Sequence, residues 1–404
     1  KNLPESAAPL MVVPLYAALP PEQQRLVFLP AEPVGARKVI LSTNIAETSL
    51  TINGVRFVVD TGLSKARVFN SKSGADTLAV QPISQAQSRQ RTGRAGREAP
   101  GKCFRLFTEE TFLALDEKQT PEIKRTNLAS IVLQLKALGV QSVMDFAFLD
   151  PPPRDAILKS LELLYALGAL DEDQQLTPEG RRMARFPLEP MAAKAVLAAE
   201  RENATDQVLC VVSMLSAEGN VFVTPREKQS EAKAARDRFV APEGDHTTLL
   251  RVFRAYRAAP SKGRLRWCSS RFLNARTLAK ATDVYEQLRR ACVSGSDTGE
   301  LPEPSTSATE EDSTPLRRAL TAGYFLQVAR RHPDGMYKVM TSGRDVSVHP
   351  SSVLFRAKPA PDVIIFNELV RTSKLYVREC SVLDAAWLPE LAPRFYTEQS
   401  QRTR

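Results

Sequence analysis

The chemically richest stretch of the chain is Gln90-Arg91-Thr92-Gly93-Arg94-Ala95-Gly96-Arg97, which sets three arginines at intervals of three with glycines between them. On a helix that interval keeps the guanidiniums on one face. A guanidinium grips a phosphate at two points and stabilises charge that develops during phosphoryl transfer. The glycines let a neighbouring backbone or a phosphate come close. A basic surface helix has the same composition, so the octamer alone leaves both readings open.

A second polar cluster, Ser42-Thr43-Asn44-Ile45-Ala46-Glu47-Thr48-Ser49-Leu50-Thr51-Ile52, follows a strand-like run. Hydroxyl and amide side chains at a strand end suit sugar-phosphate oxygens. They equally suit helix capping, with Thr48 and Thr51 satisfying the first amides. Gly96–Cys103 nearly spells a phosphate-binding loop but fails it on three grounds. Cys103 has no hydroxyl for Mg²⁺, Pro100 removes a cradle amide, and Phe104–Phe107 reads as a strand where that motif needs a helix. No other such loop is present, and no Asp-Glu-x-His or Asp-Glu-x-Asp sequence for Mg²⁺ and water activation.

The elements that must position these clusters alternate. Met11–Leu15, Lys38–Ser42, Arg56–Asp60 and Lys102–Phe107 read as strands, Pro20–Phe28 and Gln85–Gly96 as helices, and Val68–Val80 as a hairpin around Ser73-Gly74. Such alternation implies a parallel α/β sheet. From about residue 120 the pattern becomes helical. Lys124–Leu138 has a one-sided apolar stripe closed by Gly139, and Pro151–Pro153 opens a second helix that ends at Gly168. With the turn at Asp171–Gln175 and the element starting at Thr177, these suggest a winged helix. Met191–Ser216 and Asp245–Cys292 are mostly helical. Tyr324–Val328, Tyr337–Met340, Val346–His349, Val363–Phe366 and Lys374–Arg378 are short β-rich runs that suggest a small barrel.

Composition bounds the rest. The 404 residues are 43% hydrophobic, 25% charged and 7% aromatic, which excludes wholesale disorder, collagen and a disulfide miniprotein. No apolar run reaches about 18 residues, so no transmembrane helix is expected. The net charge is +9, which permits nucleic-acid binding without proving it. Ser294–Pro315 holds six acids and no Lys or Arg, so the remainder carries +15, and this stretch reads as an acidic, flexible linker. Five widely spaced cysteines without Cys-x-x-Cys read as reduced thiols of a cytosolic or nuclear protein. The three histidines lie too far apart in sequence to suggest a metal site.

Taken in order, these motifs resemble the DEAH-box (DEAH/RHA) ATP-dependent RNA helicases of superfamily 2. Ser42–Ile52 looks like their motif V and Gln90–Arg97 like motif VI. Val13–Pro20, Gly101–Glu110, Pro121–Ile123, Thr126–Leu128, Phe186–Pro190, Glu243–His246 and His349–Ser352 match further family segments, so that residues 10–395 are covered. The resemblance implies a multidomain fold: an N-terminally truncated second RecA-like domain (1–118), a winged helix (119–188), a helical ratchet (189–293), the linker (294–315) and an OB-fold (316–404). It places ATP against Phe28 as the adenine stack, Thr51 and Asn53 at the ribose or as nucleotide sensors, and Gln90, Arg94 and Arg97 at the phosphates, the two arginines being the fingers. The family usually has Asp where Asn53 stands. A neutral amide binds a hydroxyl more weakly. RNA-backbone contacts fall on Thr43, Asn44 and Ser49, with Arg371, Lys374 and Arg378 as candidates in the OB-fold. The Val68–Val80 hairpin looks like the one that separates or guides strands. Phe28 as plain core and Thr43 as a simple cap are the plainer readings.

The family's P-loop lysine, Mg²⁺ carboxylates and water-polarising residues belong to a first RecA-like domain that this sequence does not show. The expected function is the C-terminal part of a helicase moving 3′ to 5′ on RNA, inactive alone as an ATPase. A non-catalytic RNA-binding scaffold and a DNA-directed translocase are the other classes. The resemblance also implies a monomer with a possible G-patch activator, no membrane association, and a nuclear place. The Asp60-Thr61-Gly62 variant and Arg91-Thr92-Gly93 look most like the nucleolar, ribosome-biogenesis branch, and the cytoplasm is the other compartment.

Overall fold

A computed structural model of the chain describes residues 7–16, 19, 21–48, 50–70, 75–217, 219–293, 312–371 and 374–396. Two compact units divide it, Lys1–Val68 with Leu78–Glu122, and Phe69–Thr77 with Ile123–Arg404.

In the first unit, β1 (Leu10–Leu15) is followed by the short helix α1 (Pro21–Arg25) and then by β2 (Arg37–Ser42), which pairs with β1 in parallel, Val13 opposite Ile40. After α2 (Ile45–Thr48) come β3 (Phe57–Asp60), β4 (Leu63–Asn70) and β5 (Ala75–Pro82), whose facing ends from Phe69 to Thr77 belong to the second unit, then helix α3 (Gln85–Thr92), β6 (Lys102–Arg105) and α4 (Glu109–Ala114). Strands β3 and β6 are parallel, Asp60 opposite Arg105. Parallel neighbours need a crossover between them, and the helices supply it. Val13, Leu15 and Val27 form a small core on which Ile40, Ile45, Ala46, Leu50 and Ile52 pack, so the polar cluster after β2 is anchored by its own apolar residues. Strands β4 and β5 form the expected hairpin pair, while its tip at 71–74 lies outside the described residues.

Helix α3 corrects one expectation. Ser84 caps it with a reciprocal bond to Gln87, but it ends at Thr92 rather than Gly96. Gly93 closes it, and Arg94 and Ala95 then turn by hydrogen bonds to the carbonyls of Arg91 and Thr92. Two glycines within four residues remove the propensity that would continue the helix. Arg91 is therefore helical, Arg94 and Arg97 are not, and the three guanidiniums do not share a face. Pro20–Phe28 is likewise shorter, helical only over Pro21–Arg25.

The second unit begins with α5 (Ala129–Ala137), α6 (Arg154–Ala166) and α7 (Pro178–Met183), with a single bridge between Leu170 and Leu176 marking the small wing. Then come α8 (Pro190–Arg201), α9 (Thr205–Ser216), α10 (Gln229–Asp237), α11 (Asp245–Ala258), α12 (Arg264–Ser270), α13 (Ala275–Val293) and α14 (Thr314–Tyr324). Helix α8 is buried along most of its length, including Ala192, Ala193, Ala195, Val196 and Leu197. It packs so closely on α14 that a Cβ at Gly323 would stand 2.3 Å from the Met191 carbonyl. One continuous core runs from Leu128 through these helices to Tyr396.

Strands β7 (Val328–Arg331), β8 (Tyr337–Val339), β9 (Asp345–Val348), β10 (Val363–Arg371) and β11 (Leu375–Val382) close into a barrel in the order β10-β11-β9-β8-β7, and α15 (Trp387–Leu391) follows. Here two boundaries move. Tyr324–Val328 is not a strand: Tyr324 ends α14, whose Leu316, Ala319, Leu320 and Gly323 face the core at helical spacing, and β7 starts at Val328. Thr314 and Pro315, expected in the linker, form the first turn of α14, and residues 294–311 lie outside the described residues.

Candidate functional site

The first unit brings the two polar clusters into contact. Arg91 sits between two buried carboxylates: its Nε donates to Glu47 Oε2 at 3.0 Å and its Nη1 to Asp60 Oδ1 at 2.7 Å. Gln87 Nε2 donates to the other Glu47 oxygen at 3.1 Å. Asp60, at the end of β3, also accepts from the Gly62 amide at 3.0 Å. Burial makes such pairs costly to break, because removing one partner leaves an uncompensated charge. Arg91 therefore ties α2, α3 and β3 together and does not face outward.

Arg94 and Arg97 meet the loop between α2 and β3. Arg94 Nη1 donates to the Leu50 carbonyl at 2.7 Å and its Nη2 to the Glu47 carbonyl. Arg97 Nη1 donates to the Thr51 hydroxyl. The Gly54 amide donates to Glu98 Oε2 at 2.8 Å, so the residue after Asn53 is stitched to the one after Arg97. Arg94 is half-buried and Arg97 exposed. Burial, and next the neighbouring Arg97 charge, pull the Arg94 guanidinium below its ordinary value, while Glu47 opposes this. Two guanidiniums held at one loop, one of them open to solvent, are a donor set suited to an anion. The residues present thus fit the phosphates of a nucleotide.

The other residues expected at the nucleotide are exposed. Gln90 lies on the open side of α3, and Asn53 and Thr51 lie in the loop. Phe28 is 51% exposed, which sets aside the plain-core reading. Its neighbour Val27 is in the small core, and Lys38 Nζ holds the carbonyls of Val27 and Leu29 at 2.6 Å each, fixing the turn that displays the ring. Thr43 and Asn44 are exposed after β2, with the Thr43 amide on the Leu15 carbonyl at 3.1 Å. Ser49 lies outside the described residues.

In the barrel, Arg371 and Lys374 are exposed at the β10–β11 end. Arg378 is placed differently: its Nη1 pairs with Glu368 Oε2 at 3.0 Å, directly across the two strands. Among the described residues no group of three His, Cys, Asp or Glu could hold a metal ion, and no helix is long and apolar enough to cross a membrane.

Sequence reasoning missed Glu47 and Asp60. The available signal was weak: one acid within an otherwise neutral polar cluster, and one acid closing an apolar strand.

Comparison with known proteins gives four family matches: the helicase conserved C-terminal domain over residues 2–99, the winged-helix part of the helicase-associated domain (HA2) over 160–188, its ratchet-like part over 189–249, and an oligonucleotide/oligosaccharide-binding (OB) fold over 316–396. The chain is 44% identical over 409 residues to the pre-mRNA-splicing factor ATP-dependent RNA helicase DEAH10 of Arabidopsis thaliana, covering 98% of this chain and 56% of that one. It is 42% identical over 407 residues to the human ATP-dependent RNA helicase DHX33, covering 100% and 56%, and 41% identical over 392 residues to the human probable ATP-dependent RNA helicase DHX35, covering 96% and 54%. The chain spans about half the length of these curated relatives.

Proposed function

Because this chain is a C-terminal part of a DEAH-box RNA helicase and belongs to that family, we propose that it supplies the arginine side of an ATPase cleft and the RNA-holding domains of a 3′ to 5′ translocating or remodelling enzyme. A first RecA-like lobe supplies the P-loop and the Mg²⁺ ligands, and the chain alone turns over no ATP. Its domains divide at 1–118, 119–188, 189–293 and 316–404, with the acidic linker at 294–315.

When bound, ATP supplies the phosphoanhydride whose hydrolysis drives movement. On this chain Arg94 and Arg97 hold the charge that develops on the transferred phosphoryl group, Gln90 faces the phosphates, Phe28 stacks on adenine, and Thr51 and Asn53 meet the ribose. Preorganised donors of this kind supply a large share of transition-state stabilisation. Thr43, Asn44 and Ser49 contact the RNA backbone, and Arg371 and Lys374 extend that contact on the barrel. Backbone contact carries no base information, so sequence specificity is low. The protein acts as a monomer in the nucleus, with a nucleolar role in ribosome biogenesis and a G-patch protein as activator.

The observation that carries this reading is the direct bonding of the two arginines to the end of α2 and the loop that follows it, on a chain that also bears an OB barrel. RNA-stimulated ATPase of the complete protein tests it. Arg97→Ala is expected to lower kcat by about 10²–10³ with RNA affinity unchanged. An unchanged kcat overturns the finger assignment. Turnover by residues 1–404 alone, abolished by Arg97→Ala, overturns the two-lobe division. A complete protein that binds RNA without any ATPase supports the alternative, a scaffold that retains a helicase half.

A further inference from the structure

Arg94 follows the end of α3 by two residues and has no helix to orient it. Its direction comes from two carbonyls, those of Glu47 and Leu50. Leu50 packs on the small core. Glu47 is held otherwise. It is 7% exposed, and both of its carboxylate oxygens are engaged, one by Gln87 and one by Arg91. Arg91 is in turn fixed by Asp60 at the end of β3. One residue is therefore locked to α3 through its side chain, and by way of Arg91 to β3, while its main-chain oxygen holds Arg94.

We propose that Glu47 is a positioning residue: through its buried bonds to Gln87 and Arg91 it sets the carbonyl that aims Arg94. This rests on Arg94 facing the phosphates, and adds how the chain holds it there. The Glu47–Arg91–Asp60 cluster is a pre-assembled base for the finger. It lies within one compact unit, so it persists whether or not a second lobe closes on it. The carboxylate's two oxygens both accept, one from an amide N–H and one from a guanidinium N–H. In Glu47→Gln one of those acceptors becomes an NH₂ group that meets a donor head-on. The carboxamide must then turn away from Gln87 or Arg91, and the Glu47 carbonyl shifts with its own residue.

The test is a double-mutant cycle on the complete protein with saturating RNA, comparing Glu47→Gln, Arg94→Ala and the double variant. If Glu47 acts through Arg94, Glu47→Gln lowers kcat by about tenfold or more while the KM for ATP moves less than about threefold, and the double variant is no slower than Arg94→Ala alone. Multiplying effects, a change confined to KM, or a wild-type kcat in Glu47→Gln overturns the proposal. An Arg94→Ala variant with wild-type kcat overturns the finger reading and this inference with it, whereas a slow Arg94→Ala beside an independent Glu47→Gln overturns this inference alone. Where Glu47→Gln lowers the urea midpoint, Arg91→Lys is the second variant. It keeps the charge but lacks the fork that bridges two carboxylates. The same kcat loss without additivity toward Arg94→Ala is expected, and a wild-type kcat overturns the proposal.

Discussion

Asp245 at the start of α11 accepts a hydrogen bond from the backbone amide of Cys380 in barrel strand β11, at 2.8 Å. The same carboxylate accepts the Val353 amide at 2.8 Å and the Ser352 hydroxyl. The chain reaches this place only because residue 244 is glycine. Its φ is 130°, and a Cβ there would lie 2.3 Å from the Cys380 carbonyl. One side chain thus joins the helical bundle to the barrel at two points.

Asp245→Ala leaves three donors without their acceptor in a buried site. The expected loss is about 3–5 kcal/mol, since each stranded buried donor costs on the order of 1–3 kcal/mol and neighbouring losses overlap. Urea unfolding followed by Trp267 and Trp387 fluorescence measures it. A loss under about 1 kcal/mol would show that the junction is held elsewhere.

The same junction makes stability depend on pH from both sides. His246 is fully buried, with Nδ1 2.8 Å from Ser381 Oγ and Nε2 2.7 Å from Asn367 Oδ1, and burial lowers its pKa. The unfolded chain binds that proton more readily, so stability is lost as pH falls below about 6.5, the ordinary histidine value, and through the lowered folded one. Glu379, opposite Asn367 where the β10–β11 register skips, is pushed up to about 7, first by burial and then by Glu368. Here the folded state holds the proton, so stability is lost as pH rises from about 4.3 through the folded value near 7. Glu379→Gln should remove the alkaline loss, on the order of 1–3 kcal/mol, and leave the acid loss intact. Denaturation midpoints between pH 5 and 9 check this. An unchanged alkaline limb would contradict it.

Gly101→Ala should destabilise the first unit by about 3 kcal/mol or more, because the new Cβ would lie 2.3 Å from the Ala95 carbonyl and 2.6 Å from that of Arg56, both backbone. Gly96→Ala meets nothing within 4 Å and should change stability by no more than about 1 kcal/mol, the helix-independent scale for such a swap. Hydrogen exchange at the amides of β3 and β6 separates the two, with protection lost in the first variant and retained in the second.

RNA affinity of the complete protein should fall steeply with salt. Arg371→Ala and Lys374→Ala should each lower the slope of log K against log salt by about 1, equally for different RNA sequences. Arg378→Ala should change the slope less, because its guanidinium is already paired with Glu368. Fluorescence anisotropy across a salt series decides it, and slopes unaltered by all three would place the RNA elsewhere.

Much of this architecture is legible from local pattern. Apolar runs ending in polar loops mark β1, β2, β3 and β6, and one-sided stripes mark α5, α6 and α13. Pattern failed where a segment was short and ambiguous. Tyr324–Val328 has strand-like residues, but Tyr324 ends α14 and only Val328 is in a strand, and the first turn of α14 begins at Thr314 inside the apparently acidic linker. The site was half legible. The arginine octamer and the polar cluster announce themselves by residue type, but their junction does not. Glu47 and Asp60 stand 44 and 31 residues from Arg91, and nothing local says that they meet. That proximity follows from how α2 and β3 both pack on α3, a property of the assembled unit.

The ring formed by β7 to β11 has a last implication. Strand β10 is flanked by β11 along its length and by β7 at Val363–Ile365, and β11 meets β9 at Tyr376 and Val377, so the main-chain donors and acceptors of these paired stretches are spent on one another. Along those stretches a guest cannot add itself as a sixth ribbon. There the barrel meets a guest with side chains and loop tips, which adapt to many sequences, and the same closure shields those stretches from sticking sideways to copies of the chain.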